Sequence, residues 1–85
     1  MANPKRVLES VLTGRGTINF RDLERLLTAL GFQLSRTSGS HRIYVHSRVS
    51  RPLSVQPFGK DAKPYQVRQL RDMIRKHGLT LDKSE

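Results

Sequence analysis

Apolar side chains recur every three to four residues in three segments of the chain, and this spacing predicts three amphipathic helices. The clearest pattern follows Asn19, which can cap a helix, and stops at Gly31, a residue typical of helix ends. Its apolar face comprises Phe20, Leu23, Leu26, Leu27 and Leu30. A weaker pattern predicts an N-terminal helix over residues 4–13, and another predicts a last helix from Pro64 to Gly78. Residues 80–85 are expected to fray.

Between the second and third helices the pattern changes to alternation, which predicts three short antiparallel strands over residues 32–37, 41–46 and 51–57. The segment Ser38-Gly39-Ser40 is expected to form a turn, and residues 58–63 a polar loop. The side chains expected to face the helices are Phe32 and Leu34 in the first strand and Leu53 and Val55 in the third. The pattern therefore indicates an antiparallel sheet that packs on the helices.

The middle strand carries polar and apolar residues on both of its faces. Alternation places His41, Ile43 and Val45 on one face, and we expect this face to point towards the helices. Arg42, Tyr44 and His46 are then expected on the exposed face.

The order helix, helix, three strands, helix predicts one α+β domain over residues 1–85. It has two layers, with two helices on one face of a three-stranded sheet. The opposite face of the sheet is expected to be open or to be covered by a partner.

Composition narrows the classes of function. The chain has 85 residues and a net charge of +9, with eleven Arg and five Lys. Arginine binds phosphate in a bidentate manner and stacks on bases, so this excess favours a nucleic-acid partner over an acidic protein alone. The chain has no cysteine, which excludes disulfides and thiol nucleophiles. No apolar run is long enough for a membrane span, and no signal peptide is recognisable, so we expect a cytoplasmic protein.

His41 is the main candidate for chemistry, because an imidazole exchanges protons near neutral pH and this one directly follows a glycine turn. RNA cleavage needs a base for the 2′-hydroxyl, an acid for the leaving oxygen and positive charge at the phosphate. His41 could supply the acid or the base, and Arg36 or Arg42 the charge. Gly39 could present backbone N–H groups to an anion, and Ser40 a hydroxyl. The alternative is that His41 only closes the edge of the core.

Other residues are weaker candidates for RNA contact. Tyr44 and Phe58 could stack on bases or simply pack, and His46 could touch RNA or merely end a strand. Arg68, Arg71 and Arg75 could form a phosphate track on the last helix or only a solvated face. His77 is expected to stabilise the end of that helix. The three histidines have no ligand spacing typical of a metal site, so neither metal nor cofactor is expected.

Several of these segments together resemble the HicA family of toxins. They are the Leu-rich helix that ends in Leu30-Gly31-Phe32, the element Gly39-Ser40-His41 with Tyr44 and His46, the segment 51–57, and the last helix with Leu70 and Ile74. The resemblance covers about residues 19–79. It implies a fold similar to a double-stranded-RNA-binding domain, with an α-β-β-β-α order, to which this chain adds the N-terminal helix. It also implies mRNA cleavage tied to His41 and inhibition by a HicB antitoxin.

Two features depart from the family pattern. Many members carry a polar element such as Pro-x-His after the third strand, where this chain has Pro57-Phe58-Gly59. A helper imidazole is therefore missing. The N-terminal helix lies outside the common core, where it could cover the sheet edge, support a homodimer or enlarge the antitoxin contact.

Two other functions compete with a ribonuclease. A non-catalytic RNA-binding module would use the same fold and basic residues without depending on His41. A DNA-binding regulator is less consistent with the pattern, because the strands leave no helix–turn–helix pair.

Overall fold

The computed structural model describes residues 3–14 and 16–81. Its helices are α1 (Pro4–Thr13), α2 (Phe20–Ala29) and α3 (Pro64–His77). The main sheet consists of the antiparallel strands β1 (Gln33–Ser38), β2 (His41–His46) and β3 (Val49–Val55), in that order. A small ribbon pairs β4 (Pro57–Phe58) with β5 (Asp61–Ala62). The predicted α+β class and the α-β-β-β-α order with an extra N-terminal helix are confirmed.

The helices begin and end as their capping residues predict. The Asn3 side chain accepts a hydrogen bond from the Arg6 backbone N–H (3.0 Å), and Asn19 accepts one from that of Arg21 (2.9 Å). Gly14 and Gly78 end α1 and α3 in the left-handed conformation, where a glycine is least strained. The local sequence therefore determines the helix boundaries.

The core lies between the helices and one face of the main sheet. Its fully buried side chains are Leu23, Leu26 and Leu27 of α2, Leu53 and Val55 of β3, Leu70 of α3 and Val11 of α1. Helix α1 packs on α2 and α3, so its main contacts are with these helices and not with the edge of the sheet. Its apolar stripe is buried within the same chain.

The expected orientation of β2 is wrong. Tyr44 is buried and faces the helices, whereas His41 and Val45 are exposed on the open face. The cause is the pairing with β3, in which Tyr44 lies opposite Leu53 and Arg42 opposite Val55. Because directly paired residues share a face, the two inward residues of β3 determine which side of β2 is buried.

Three further expectations need correction. Leu34 is 46% exposed, because β1 is an edge strand whose six residues are all exposed. The expected loop over residues 58–63 contains the turn and second strand of the β4–β5 ribbon, which pairs Phe58 with Asp61. The third strand begins earlier than predicted, since only Ser47 and Arg48 separate it from β2.

The C-terminal segment is anchored at its start. Leu79 is buried, and Leu81 packs against the core. The predicted fraying over residues 80–85 falls mainly on residues 82–85, which lie outside the described residues. For residues 80 and 81 it stays a prediction.

Candidate active site

His41 lies at the start of β2, directly after the two-residue turn Gly39-Ser40. Gly39 occupies the first position of this turn with φ 61°, which a residue with a side chain rarely adopts. The tight turn places His41 at the end of the β1–β2 hairpin, opposite Ser38, with its side chain exposed on the open face of the sheet. A substrate can therefore approach the imidazole directly.

Ser54 orients the His41 ring. Its Oγ lies 3.1 Å from His41 Nδ1, within hydrogen-bonding distance. Ser54 lies opposite Ile43 in the sheet and so on the same face as His41. The bond engages Nδ1 and leaves Nε2 for proton exchange with a bound molecule. Sequence analysis missed Ser54, although its place between the inward Leu53 and Val55 was a usable signal.

A chain of hydrogen bonds links the turn before His41 to the start of α3. Gln56 Nε2 donates to Ser40 Oγ (3.4 Å), and the Gln56 backbone N–H donates to Gln66 Oε1 (2.9 Å). Gln66 Nε2 in turn donates to the Tyr65 hydroxyl (3.3 Å). Gln66 is only 3% exposed, so it braces the end of β3 from within the core. Its position four residues before Leu70, on the apolar face of α3, was the signal that sequence analysis overlooked.

Of the two arginines expected to hold a phosphate near His41, the structure places one on its face. Arg36 lies opposite Ile43 and diagonally across from His41, within reach of a long side chain. Arg42 points to the helix side of β2, where its Nη1 lies 3.2 Å from Glu24 Oε2. The prediction that Arg42 holds a phosphate beside His41 is therefore wrong, because neighbouring residues of a strand point to opposite faces.

Tyr44 belongs to the core and not to an RNA surface. It is 4% exposed, and its hydroxyl donates to Glu24 Oε2 (2.8 Å). Burial, together with this hydrogen bond and the negative charge of Glu24, raises the pKa of Tyr44 to about 12. The prediction that Tyr44 stacks on a base is wrong, because neither face of its ring is accessible.

His46 joins the β2–β3 turn to the end of α2. Its Nε2 lies 2.9 Å from the Leu30 carbonyl oxygen, and its Nδ1 accepts the Arg48 backbone N–H (3.0 Å). Its ring also packs edge-on against Phe32. Because Nδ1 accepts, Nε2 must donate to the carbonyl, so this geometry fits the neutral ring. Both ring nitrogens are engaged in the fold, which contradicts a role for His46 in RNA contact.

The arginines of α3 do not form an evenly exposed track. Arg75 Nη2 donates to the Leu12 carbonyl oxygen of α1 (3.1 Å). Arg71 Nε is buried, 3.6 Å from Asp72 Oδ1, and its guanidinium lies beside Gly14. Arg68 is exposed. Two of the three residues are thus turned towards α1, a helix whose position the sequence pattern did not reveal.

The described part of the chain contains no group of three or more His, Cys, Asp or Glu side chains that could hold a metal ion. None of the helices in residues 3–14 and 16–81 has the length and apolar character needed to cross a membrane.

Comparison with known proteins agrees with the sequence resemblance. A family model described as "HicA toxin of bacterial toxin-antitoxin" matches residues 20–79. No significant match was found among curated proteins or among solved structures. The matched region runs from the start of α2 to the residue after Gly78, so it includes the sheet and His41 and excludes α1.

Proposed function

Because the chain belongs to the HicA family and is thus the toxin of a toxin–antitoxin pair, we propose that it is a metal-independent endoribonuclease that cleaves mRNA with His41. One observation carries the proposal. His41 is the histidine that lies exposed on the open sheet face, with Nδ1 held by Ser54 and Nε2 free of the fold. His46 is committed to structure, and His77 lies in the last turn of α3.

The reaction is a transesterification within the RNA strand. The 2′-oxygen attacks the adjacent phosphorus and loses its proton, the bond from phosphorus to the 5′-oxygen breaks, and that oxygen gains a proton. The products are a 2′,3′-cyclic phosphate and a 5′-hydroxyl. His41 Nε2 acts either as the base that accepts the first proton or as the acid that supplies the second, and solvent serves the other transfer.

The neighbouring residues position the phosphate. Arg36 supplies positive charge on the face of His41, and the backbone N–H groups of the Gly39-Ser40 turn bind a phosphate oxygen. Ser54 is a positioning residue that sets the orientation of the imidazole. A hydrogen bond of this kind contributes about 1 kcal/mol, so its loss costs about tenfold at most in rate.

The antitoxin partner is proposed to be a HicB-like protein that covers His41. An inhibitor that meets a strongly basic protein is expected to present acidic side chains, since charge complementarity speeds association and fixes orientation.

Replacing His41 by Ala tests the function. General acid–base catalysis contributes about 10²–10⁴-fold, so we expect His41→Ala to lose cleavage of a labelled RNA by about this factor. Because the side chain is exposed, the thermal unfolding midpoint should stay unchanged. His77→Ala serves as the matched histidine control and should retain cleavage.

Wild-type cleavage should persist in EDTA, since the proposed step needs only proton transfer and fixed cations.

Two outcomes would contradict this function. Cleavage by folded His41→Ala protein at the wild-type rate would remove His41 from the reaction. RNA binding without cleavage by the wild-type protein would favour the non-catalytic RNA-binding module.

Ser54→Ala tests whether Ser54 orients the His41 ring or only stabilises the fold. We expect this variant to cleave RNA more slowly and with an altered pH profile, while its thermal unfolding midpoint stays unchanged.

A further inference from the structure

Two aromatic side chains, one in β4 and one at the start of α3, are exposed, and neither has a role in the reaction described above. Phe58 is 71% exposed and Tyr65 is 48% exposed. Exposing a large aromatic ring to water is unfavourable, so two such rings in neighbouring segments call for an explanation.

One hydrogen bond joins the two segments that carry these rings. The Gln56 backbone N–H donates to Gln66 Oε1, with Phe58 two residues after the donor and Tyr65 one residue before the acceptor. Gln56 also binds the side chain of Ser40, the residue before His41. The segments that carry the two rings are thus linked by hydrogen bonds to the turn before His41.

The geometry points to a base-stacking platform, formed by Phe58 and Tyr65, that holds unpaired nucleotides next to the scissile phosphate. This inference rests on the proposed ribonuclease function and specifies its substrate as single-stranded RNA. Aromatic rings bind bases of any sequence by stacking on their faces, and only an unpaired strand exposes those faces. Lys60, exposed in the turn after Phe58, adds a cation for the backbone of the strand.

The arrangement of the arginines on α3 favours single-stranded RNA over a duplex as the substrate. A duplex would be held through its phosphates and its shape, which requires a broad basic surface. Arg71 of α3 is instead partly buried beside Asp72, and Arg75 is held by the Leu12 carbonyl oxygen of α1, so the exposed arginines of that helix do not form one continuous track. The aromatic platform and the open face with Arg36 together offer rings and positive charge, a combination that suits an unpaired strand.

The test measures binding in a His41→Ala background, so that the RNA stays intact. The probes are a fluorescent single-stranded RNA of mixed sequence and the same strand in a duplex. We expect Phe58→Leu and Tyr65→Leu each to weaken single-strand binding by about 5- to 150-fold, the usual effect of losing one base–aromatic stack. Duplex binding should be weaker at the start and unchanged by either substitution.

Matched variants distinguish stacking from general apolar contact. Phe58→Tyr and Tyr65→Phe keep a ring and should bind as the parent does. Leu34→Ala removes an exposed apolar residue of β1 and should have no effect. Unchanged affinity of the two Leu variants, or equal losses for single strand and duplex, would overturn the platform. Cleavage by His41→Ala would contradict only the catalytic role of His41, because binding is measured separately.

Discussion

Glu24 connects α2 to β2 through two neighbours at once. Its Oε2 accepts the Tyr44 hydroxyl and lies 3.2 Å from Arg42 Nη1. The carboxylate favours the neutral phenol, because an ionised Tyr44 would place a second negative charge beside it. Burial acts in the same direction, and the pKa of Tyr44 rises to about 12.

This shift predicts a loss of stability at high pH. The pKa of Tyr44 is higher in the folded protein than its ordinary 10.0. The neutral phenol therefore adds fully to the free energy of unfolding below pH 10, and this contribution is lost as the pH rises through 12. Two pKa units correspond to about 3 kcal/mol. Urea unfolding between pH 8 and 12 should therefore show the wild type losing about this much relative to Tyr44→Phe. Tyr65→Phe, which changes an exposed tyrosine, should parallel the wild type throughout. If the stability of Tyr44→Phe changed with pH in parallel with that of the wild type, the effect of Glu24 and burial on the pKa of Tyr44 would be contradicted.

Among the elements, α1 extends the family core. The family match begins at residue 20, yet Val7 and Val11 of α1 are buried at 4% and 1% exposure. Arg75 of α3 also donates to the Leu12 carbonyl oxygen, which satisfies one of the acceptors left free at the end of α1. The helix is thus part of the folded unit and not an appendage.

Removing buried volume from α1 should lower the stability of the whole protein. Val11→Ala deletes two methyl groups from a filled site, at a cost of about 1.5–3 kcal/mol in the free energy of unfolding. Lys5→Ala, on the exposed side of the same helix, should change it by less than about 0.5 kcal/mol. Chemical denaturation measures both. Equal stability of the Val11→Ala protein and the wild type would mean that α1 does not contribute to the core.

Helix ends were predictable because their signals are local. Asn3, Asn19 and Gly78 act on groups within a few residues of themselves. The inward face of β2 was not predictable in this way. Alternation gives two faces but no preference between them, and the choice came from pairing with Leu53 and Val55 of another strand. The same limit applies to the site. His41 was identified, but Ser54 bonds its ring and Gln56 bonds Ser40 from a later segment, and Gln56 is itself held by Gln66 of α3.

For the molecule as a whole, charge determines how it meets its partners. A net charge of +9 on 85 residues attracts RNA and an acidic inhibitor alike. Both are expected at the open sheet face, where Arg36 and His41 lie together. Inhibition then follows from competition for one surface.

The association of toxin and antitoxin should therefore be sensitive to salt. We expect the rate constant, measured by stopped-flow fluorescence, to fall at least tenfold between about 20 and 500 mM NaCl, because screening removes long-range attraction.

In the complex, carbethoxylation of His41 should be suppressed, whereas His77 serves as an internal reference. A rate that is independent of salt would exclude electrostatic steering, and a fully reactive His41 in the complex would exclude direct occlusion.

The alternation of β2 has a genetic consequence. Arg42, Tyr44 and His46 all contact α2 or the residue that ends it, whereas His41 is directed away from it. Selection for cells that survive the toxin should recover two classes of mutation in β2, one at residues 42, 44 and 46 and the other at His41. We expect changes at Arg42, Tyr44 or His46 to yield unstable chains that proteases remove. From the proposed function we expect changes at His41 to yield an inactive but intact protein that still sequesters antitoxin. Such an allele would behave as dominant when a wild-type toxin gene is present in the same cell.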